Sequence, residues 1–135
     1  MNSCHLGRIT ILSMSSRGSF TWSGGKDVRE VVIPFGFNEI GFCAFLECTQ
    51  LTNIRIPRSI KKIGDGAFEK CSSLTNIIIP NSVTEIGNYA FSECSSLTNI
   101  IIPNSVTKIG ESAFWKCSSL KNIKFSNSVS YLGTY

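Results

Sequence analysis

Residues 74–96 read LTNIIIPNSVTEIGNYAFSECSS, and residues 97–119 read LTNIIIPNSVTKIGESAFWKCSS, which is almost letter for letter the same. The 23-residue unit extends outward from this pair without a gap, giving further full units at 28–50 and 51–73 and a partial fifth unit at 120–135. A fixed period of this length indicates a solenoid, in which one unit cannot bury its apolar face alone but stacked units can. The sequence therefore predicts a stack of coils that share one continuous core.

The positions of the unit, numbered 1 to 23, form columns through the predicted stack. Apolar residues at positions 4 and 6, with polar or variable residues at 3 and 5, predict a short strand with one buried face. Proline at position 7 ends that strand because it has no N–H to donate to a neighbouring strand. The buried strand columns hold Val31, Ile54, Ile77, Ile100 and Ile123 at position 4 and Ile33, Ile56, Ile79, Ile102 and Phe125 at position 6.

The rest of each unit predicts a second, shorter strand and a compact turn. Positions 10–13 form a second extended segment, and glycine at position 14 marks either a corner with positive φ or a close approach between backbones. Ala and Phe at positions 17 and 18 then lead into a short helical or 3₁₀ turn, which is too short to be a stable helix alone. Stacking would place the position-18 rings in an aromatic ladder formed by Phe45, Phe68, Phe91 and Phe114.

The pattern L-x-x-I-x-I-P-x-S-V-x-x-I-G-x-x-A-F-x-x-C, which covers residues 28–133, resembles the BspA-like leucine-rich repeats of bacterial and protist proteins. The resemblance implies an α/β fold, a right-handed leucine-rich-repeat superhelix with parallel strands on the concave face and short second strands and 3₁₀ or helical turns elsewhere. Members are typically surface or secreted proteins that bind host matrix proteins or other cells, which suggests such a location here. The residues themselves leave the compartment open, because the apolar segment 6–14 is short, contains Arg8 and does not resemble a signal peptide.

The two ends of the chain depart from the repeat. Residues 1–27 contain no full unit, and we expect an N-terminal capping segment or degenerate repeat, with a strand at residues 8–11 and Trp22 over the end of the core. Residues 28–135 are the expected solenoid. Its last unit is partial, so we expect either self-association through this end or a natural continuation of the chain. The side chains that would lack a next unit over them are Leu120, Ile123, Phe125, Val129 and Leu132.

Composition and motifs argue against several classes of function. The formal net charge is +4 and the basic residues are scattered, with only Lys61 and Lys62 adjacent, so nucleic acid is not an expected partner. No apolar run is long enough to cross a bilayer, so membrane insertion is not expected. The chain has no G-x-S-x-G motif and one histidine, His5, and its acidic residues do not cluster. We therefore expect no enzymatic activity, no catalytic residues and no cofactor.

Six cysteines raise the question of disulfides or a metal site. Four of them occupy position 21, namely Cys48, Cys71, Cys94 and Cys117. No C-x₂-C pair is present, which argues against zinc, and no other metal site is expected. Stacked cysteines about 5 Å apart could be bridged, but the pattern favours small buried thiols under the turn. Cys4 and Cys43 fall outside the column and are expected to be the more reactive thiols.

Two columns alternate in charge, so that each residue would have an opposite charge above and below it. We favour stabilisation of the stack as their role, at about 0.2–1 kcal/mol for each exposed pair. A charge pattern that a partner recognises is the alternative. The columns are Glu39, Lys62, Glu85 and Lys108 at position 12 and Glu47, Lys70, Glu93 and Lys116 at position 20.

The outward-facing positions 2, 3 and 5 of the first strands are the best candidate for a binding surface. Ile78 and Ile101 at position 5 would form a small exposed apolar strip among Thr and Asn side chains. The competing interpretation is that Thr and Ile occur there because they suit strands. The candidate ligand-binding residues are Thr52, Arg55, Thr75, Asn76, Ile78, Thr98, Asn99, Ile101, Lys121 and Lys124.

Two functions remain open from the sequence. One is a non-enzymatic interaction or adhesion module that binds a protein or glycan, such as a host matrix component or another cell surface. The other is a structural spacer within a longer repeat protein, which the near-identity of the central units favours because it leaves little individuality for a specific site.

Overall fold

The structure, a computed structural model, describes residues 9–10, 18–22, 24–124 and 128–134. The predictions that concern Cys4, His5, Phe125 and the strand residues 8 and 11 lie outside these ranges. Short strands make up the regular structure of the described residues. They are β1 (Ile9–Thr10), β2 (Ser19–Phe20), β3 (Glu30–Val32), β4 (Glu39–Ile40), β5 (Asn53–Arg55), β6 (Lys62–Ile63), β7 (Glu85–Ile86), β8 (Asn99–Ile101), β9 (Lys108–Ile109), β10 (Asn122–Lys124) and β11 (Tyr131–Leu132).

The first and second strands of the units form separate sheets. The first strands give a three-stranded sheet in the order β1-β3-β5 and a two-stranded sheet of β8 and β10, whereas the second strands give one six-stranded sheet in the order β11-β9-β7-β6-β4-β2. Every pairing is parallel, and pairs between successive units join residues 23 apart, as Val31 pairs with Ile54 and Ile63 with Ile86. The protein is therefore a parallel-strand β-solenoid of stacked coils with the predicted period.

Strands β1 and β2 place parts of the N-terminal segment in both kinds of sheet. Ile9 pairs with Val31 and Phe20 pairs with Ile40, offsets of 22 and 20 residues. These offsets differ from 23, which explains why no full unit is visible in this part of the sequence. The ring of Trp22 stacks on Phe45 with the centroids 6.1 Å apart, and Phe20, which the sequence analysis did not assign, stacks on the same ring at 5.5 Å.

The core is a set of apolar columns that run the length of the stack. The position-18 rings form the predicted ladder, with successive centroids 5.3–5.5 Å apart and interplanar angles of 4–7°. Such separations lie within the range in which aromatic pairs attract one another. Phe45, Phe68 and Phe91 are completely buried, whereas Phe114, in the last described turn, is only partly buried.

The predicted helical or 3₁₀ turns are wrong, because the described residues contain no helix and positions 15–20 form tight turns instead. Two positions in each turn have positive φ, between 51° and 66°, which a right-handed helix excludes. They are Cys43, Gly66, Tyr89 and Ser112 at position 16 and Glu47, Lys70, Glu93 and Lys116 at position 20. The α/β assignment is therefore corrected to an all-β solenoid.

The backbone hydrogen bonds of these turns differ from those of a helix. The N–H of Phe68 donates to the carbonyl of Ala90 in the next coil at 2.8 Å, whereas the N–H of Cys71 donates back to the carbonyl of Phe68 at 3.2 Å. A helix would direct both N–H groups within its own segment. The turn instead uses alternate N–H groups to join neighbouring coils.

Glycine is required at position 14 because the backbones of successive coils approach closely there, and not because φ is positive. A Cβ on Gly64 would lie 2.7 Å from the carbonyl oxygen of Ile40, and a Cβ on Gly87 would lie 2.7 Å from the backbone nitrogen of Asp65. Real Cβ atoms essentially never come this close to other heavy atoms. Successive coils can therefore pack at this corner only where position 14 has no side chain.

The first-strand side of the stack is interrupted between the second and third full units. Strand β5 pairs with β3 but not with the following unit, in which Asn76 forms only an isolated bridge to Asn99. No backbone hydrogen bond joins residues 52–56 to residues 75–79 in the described structure. The second strands of the same two units remain paired through β6 and β7. The two coils thus separate on one side only.

Candidate interaction surface

The first-strand face, defined as the outward side chains at positions 2, 3 and 5 of the five units, carries all ten candidate ligand-binding residues. Nine of them are exposed and Thr98 is half-buried. The alternation within β5 explains this, since Ile54 is buried between exposed Asn53 and Arg55. The predicted apolar strip is present, with Ile78 82% exposed and Ile101 68% exposed.

Two grooves flank the segment that contains Ile78. The first, of about 360 Å³, lies at the interruption between the second and third units, and the second, of about 340 Å³, lies between the third and fourth units. Ile78 lines both of them and Ile101 lines the second. The remaining lining residues are Asn53, Ile54, Arg55, Ile56, Asn76 and Ile77 for the first groove and Asn76, Ile77, Ile79, Asn81, Asn99, Ile100 and Pro103 for the second.

The charge on this face is predominantly positive. Its positions hold four cations and one carboxylate, which are Arg29, Arg55, Lys121, Lys124 and Glu30. Arg55 and Lys124 are exposed and occupy position 5 on either side of the two isoleucines. A ligand on this face would therefore meet apolar surface in the centre and positive charge at both ends.

Part of the face contributes to the stability of the stack. The hydroxyl of Thr52 donates to the carbonyl of Arg29 at 3.2 Å, and that of Thr98 donates to the carbonyl of Thr75 at 3.3 Å. The side-chain amide of Asn122 donates to the side-chain oxygen of Asn99 at 3.1 Å. Several Thr and Asn residues of the candidate site therefore have a structural role, whereas the two isoleucine side chains extend into solvent.

The position-21 cysteines are free thiols that bond to the preceding coil. The thiols of Cys71, Cys94 and Cys117 donate to the carbonyls of Phe45, Phe68 and Phe91 at 3.1–3.2 Å. Burial raises the pKa of all three thiols above the ordinary value, and that of Cys117 to about 11. Such thiols are poor nucleophiles because little thiolate is present at neutral pH.

Three of the six neighbouring pairs in the alternating charge columns lie close enough to interact. The carboxylate of Glu85 lies 3.8 Å from the ammonium of Lys62 and 3.6 Å from that of Lys108, and Glu47 lies 3.7 Å from Lys70. These side chains are between a third and a half exposed, so each pair contributes about 0–1 kcal/mol. The arrangement supports the structural role of the columns.

A polar ladder at position 15 was missed by the sequence analysis. The backbone N–H of Asn88 donates to the side-chain oxygen of Asp65 at 2.9 Å, and that of Glu111 donates to the side-chain oxygen of Asn88 at 2.8 Å. The signal was available in Asp65 and Asn88, two short side chains with acceptor oxygens that directly follow position-14 glycines. These bonds join successive coils.

Metal sites and membrane spans are two further features that bear on function. No group of three or more His, Cys, Asp or Glu side chains there converges as metal ligands would. Those ranges also hold no helix of the length and apolar character that crossing a bilayer requires.

Comparison with known proteins gives a consistent result for fold and family. The profile of the BspA type leucine rich repeat region matches residues 3–135 in six copies. No curated protein matches the chain. Among solved structures, the leucine-rich repeat protein of T. pallidum is 27% identical with a TM-score of 0.77, over 95% of this chain and 69% of that one.

Two other solved structures are similar but considerably longer than this chain. A leucine rich cell surface protein of Faecalibacterium prausnitzii is 32% identical with a TM-score of 0.76, over 90% of this chain and 32% of that one. A leucine-rich repeat protein of Bacteroides ovatus is 33% identical with a TM-score of 0.69, over 80% of this chain and 30% of that one. The chain thus spans about a third of the length of these two relatives. With its six matched repeats and its stacked parallel coils, the chain belongs to the BspA-type leucine-rich repeat family.

Proposed function

We propose that the protein is a non-enzymatic interaction module that binds a partner protein through the first-strand face, centred on Ile78 and Ile101. The observation that carries the proposal is the pair of isoleucines, 82% and 68% exposed, at the edges of two adjacent grooves. Leucine-rich repeat proteins are generally protein-interaction modules, and solenoids use their extended sheet surfaces for binding. The family resemblance predicts that this face is concave.

The residues at position 5 support a binding role because the repeat does not require an apolar residue there. The other units have Val32, Arg55 and Lys124 at this position, so isoleucine is not needed to form the strand. Exposed apolar residues that are scattered singly need no explanation, but adjacent ones beside grooves are typical of interaction sites. The strip is small, which favours a short segment of a partner over a broad interface.

Adhesion at a cell surface is the finer proposal. It is supported by the description of the F. prausnitzii relative as a cell surface protein. The same binding chemistry would serve a secreted protein that recognises a host matrix protein.

A structural spacer is the second candidate function, and hydrogen bonding on the first-strand face favours it. The bonds of Thr52, Thr98 and Asn122 join successive coils, so these residues have a reason to occupy the face without any ligand. The side chains of the two exposed isoleucines are apolar and cannot form such hydrogen bonds between coils. The two candidates therefore differ in what they predict for Ile78 and Ile101.

The test is selection of a displayed library of unstructured peptides against the immobilised protein, with two variants in parallel. We expect the wild type and Phe42→Glu to enrich the same consensus and Ile78→Glu/Ile101→Glu to lose it. Phe42 is the matched control because it is 75% exposed but lies at position 15, outside the first-strand face. Enrichment of that consensus by the double variant would place the site elsewhere. Binding only on a glycan array would identify a glycan partner, and no binding in either assay would favour the spacer.

A further inference from the structure

The position-5 column of the first-strand face combines charge and apolar surface in a fixed order. Along neighbouring units it reads Val32, Arg55, Ile78, Ile101 and Lys124, so two cations enclose two isoleucines. All but Val32 are exposed. The pairing of β8 with β10 places Ile101 directly beside Lys124.

The two cations are available to a ligand. Within the described part of the chain neither Arg55 nor Lys124 forms an ion pair, whereas Lys62, Lys70 and Lys108 all do. Three of the four lysines in the alternating columns are thus paired with carboxylates of neighbouring coils, whereas the two cations of position 5 are not. An acidic ligand could approach both without displacing an existing partner.

The spacing of the column fits an extended peptide that crosses the strands. Paired neighbouring strands lie about 4.8 Å apart, so Arg55 and Lys124, three steps from each other, are separated by at least about 14 Å, because the step from Arg55 to Ile78 is not between paired strands. An extended peptide rises about 3.3 Å per residue, which puts residues i and i+4 about 13 Å apart on the same face, with i+2 midway. The midpoint of the column lies between Ile78 and Ile101.

We propose that this column recognises an extended acidic peptide segment of the form acidic-x-apolar-x-acidic, laid across the first strands. The two carboxylates contact Arg55 and Lys124, and the central apolar side chain enters the groove of about 340 Å³ between Ile78 and Ile101. This proposal rests on the proposed function and specifies the chemistry of the partner.

The positive character of the whole face supports the same partner. Four cations and one carboxylate occupy its positions, so a peptide with net negative charge would be attracted before contact. Exposed ion pairs contribute modestly, about 2- to 5-fold in affinity for each pair. Specificity must therefore come from the combination of two ion pairs with the apolar side chain.

The test uses three synthetic peptides with the central sequences Glu-Ser-Leu-Ser-Glu, Lys-Ser-Leu-Ser-Lys and Glu-Ser-Ser-Ser-Glu, flanked by Gly and Ser. Binding to the full chain is followed by NMR titration to millimolar peptide, because affinities of short peptides are expected to be weak. We expect the first peptide to bind roughly 4- to 25-fold more tightly than a version with both acids replaced by Gln. It should also bind more tightly than the other two peptides.

Reversing the charge of the two position-5 cations tests directly whether they contact the acidic residues of the peptide. The variant Arg55→Glu/Lys124→Glu should prefer Lys-Ser-Leu-Ser-Lys, and thermal unfolding should show that it remains folded, since both side chains are exposed. An unchanged preference in this variant would overturn the proposal, as would equal binding of Glu-Ser-Ser-Ser-Glu to the wild type. If the displayed library yields a consensus that depends on the isoleucines but lacks the acidic spacing, this inference fails while the proposed function stands. If no consensus depends on the isoleucines, the proposed function itself fails.

Discussion

Phenylalanine at position 18 has the same environment in each central coil, a buried ring between two parallel rings. Phe91 lies 5.4 Å from Phe68 and 5.5 Å from Phe114, and it is completely buried. Phe91→Ala should lower the free energy of unfolding by about 3–5 kcal/mol, because neighbouring coils cannot close the cavity. Denaturant titration measures this loss.

Lys108→Ala is the matched surface change in the adjoining unit. It removes one exposed ion pair with Glu85 and should cost less than about 1 kcal/mol. Equal and small losses in both variants would contradict the aromatic ladder.

The cysteines differ in accessibility in a way that labelling can measure. Cys48, Cys71 and Cys94 are buried, and burial raises their pKa values, so thiol reagent should modify them only after unfolding. Cys43 is half-buried and should react first among the described cysteines, faster at higher pH because burial raises its pKa as well. An intact mass lower by two or four hydrogens without reductant would instead show disulfides in the column.

At the scale of the strands and turns, the corner at position 14 can be tested through Gly87. Gly87→Ala would place a Cβ 2.7 Å from the backbone nitrogen of Asp65, so the coils must shift, at a cost of about 1–3 kcal/mol. Gly25→Ala is the control, since its close contact is with the end of the Asp27 side chain on an exposed loop. Comparable thermal stability of the two variants would contradict the close approach of the backbones.

The strands could be predicted from sequence, but the turns could not. Alternating apolar residues and the position-7 prolines specify the first strands, because a slip by one residue would expose the apolar columns. The turns were assigned as helical because Ala and Phe at positions 17 and 18 are compatible with a helix. The positive φ angles of Lys70 and Tyr89 are incompatible with a helix. Only the glycine at position 16 of one unit, Gly66, indicated a positive φ in the sequence.

The interruption after β5 could not have been predicted either. Units 51–73 and 74–96 have the same apolar residues at positions 1, 4, 6 and 13, so none of these four core columns marks a difference between them. The exposure of the candidate site was predictable, since it follows from strand alternation alone. The grooves beside Ile78 were not, because their volumes depend on how neighbouring coils pack and not on the alternation of residues.

At the scale of the whole molecule, the described end of the stack exposes apolar side chains and a strand edge. Ile123, Tyr131 and Leu132 are 38%, 46% and 57% exposed, and a depression of about 420 Å³ lies beside Phe114 and Leu132. The right-handed winding and the concave curvature implied by the family resemblance stay predictions.

We therefore expect this 135-residue chain to self-associate through the fifth unit. Light scattering over a concentration series should show a rising mass, and Leu132→Asp should reduce it because the change introduces charge into the apolar contact. A strictly monomeric wild type would show that this end is covered by the chain itself.

Binding of a partner to the first-strand face can be measured by hydrogen–deuterium exchange of the full chain with and without the peptide selected from the displayed library. We predict slower exchange on binding for residues 75–79 and 98–102, and unchanged exchange for the turns at 65–70 and 88–93. Protection of those turns with no change at 75–79 and 98–102 would contradict it.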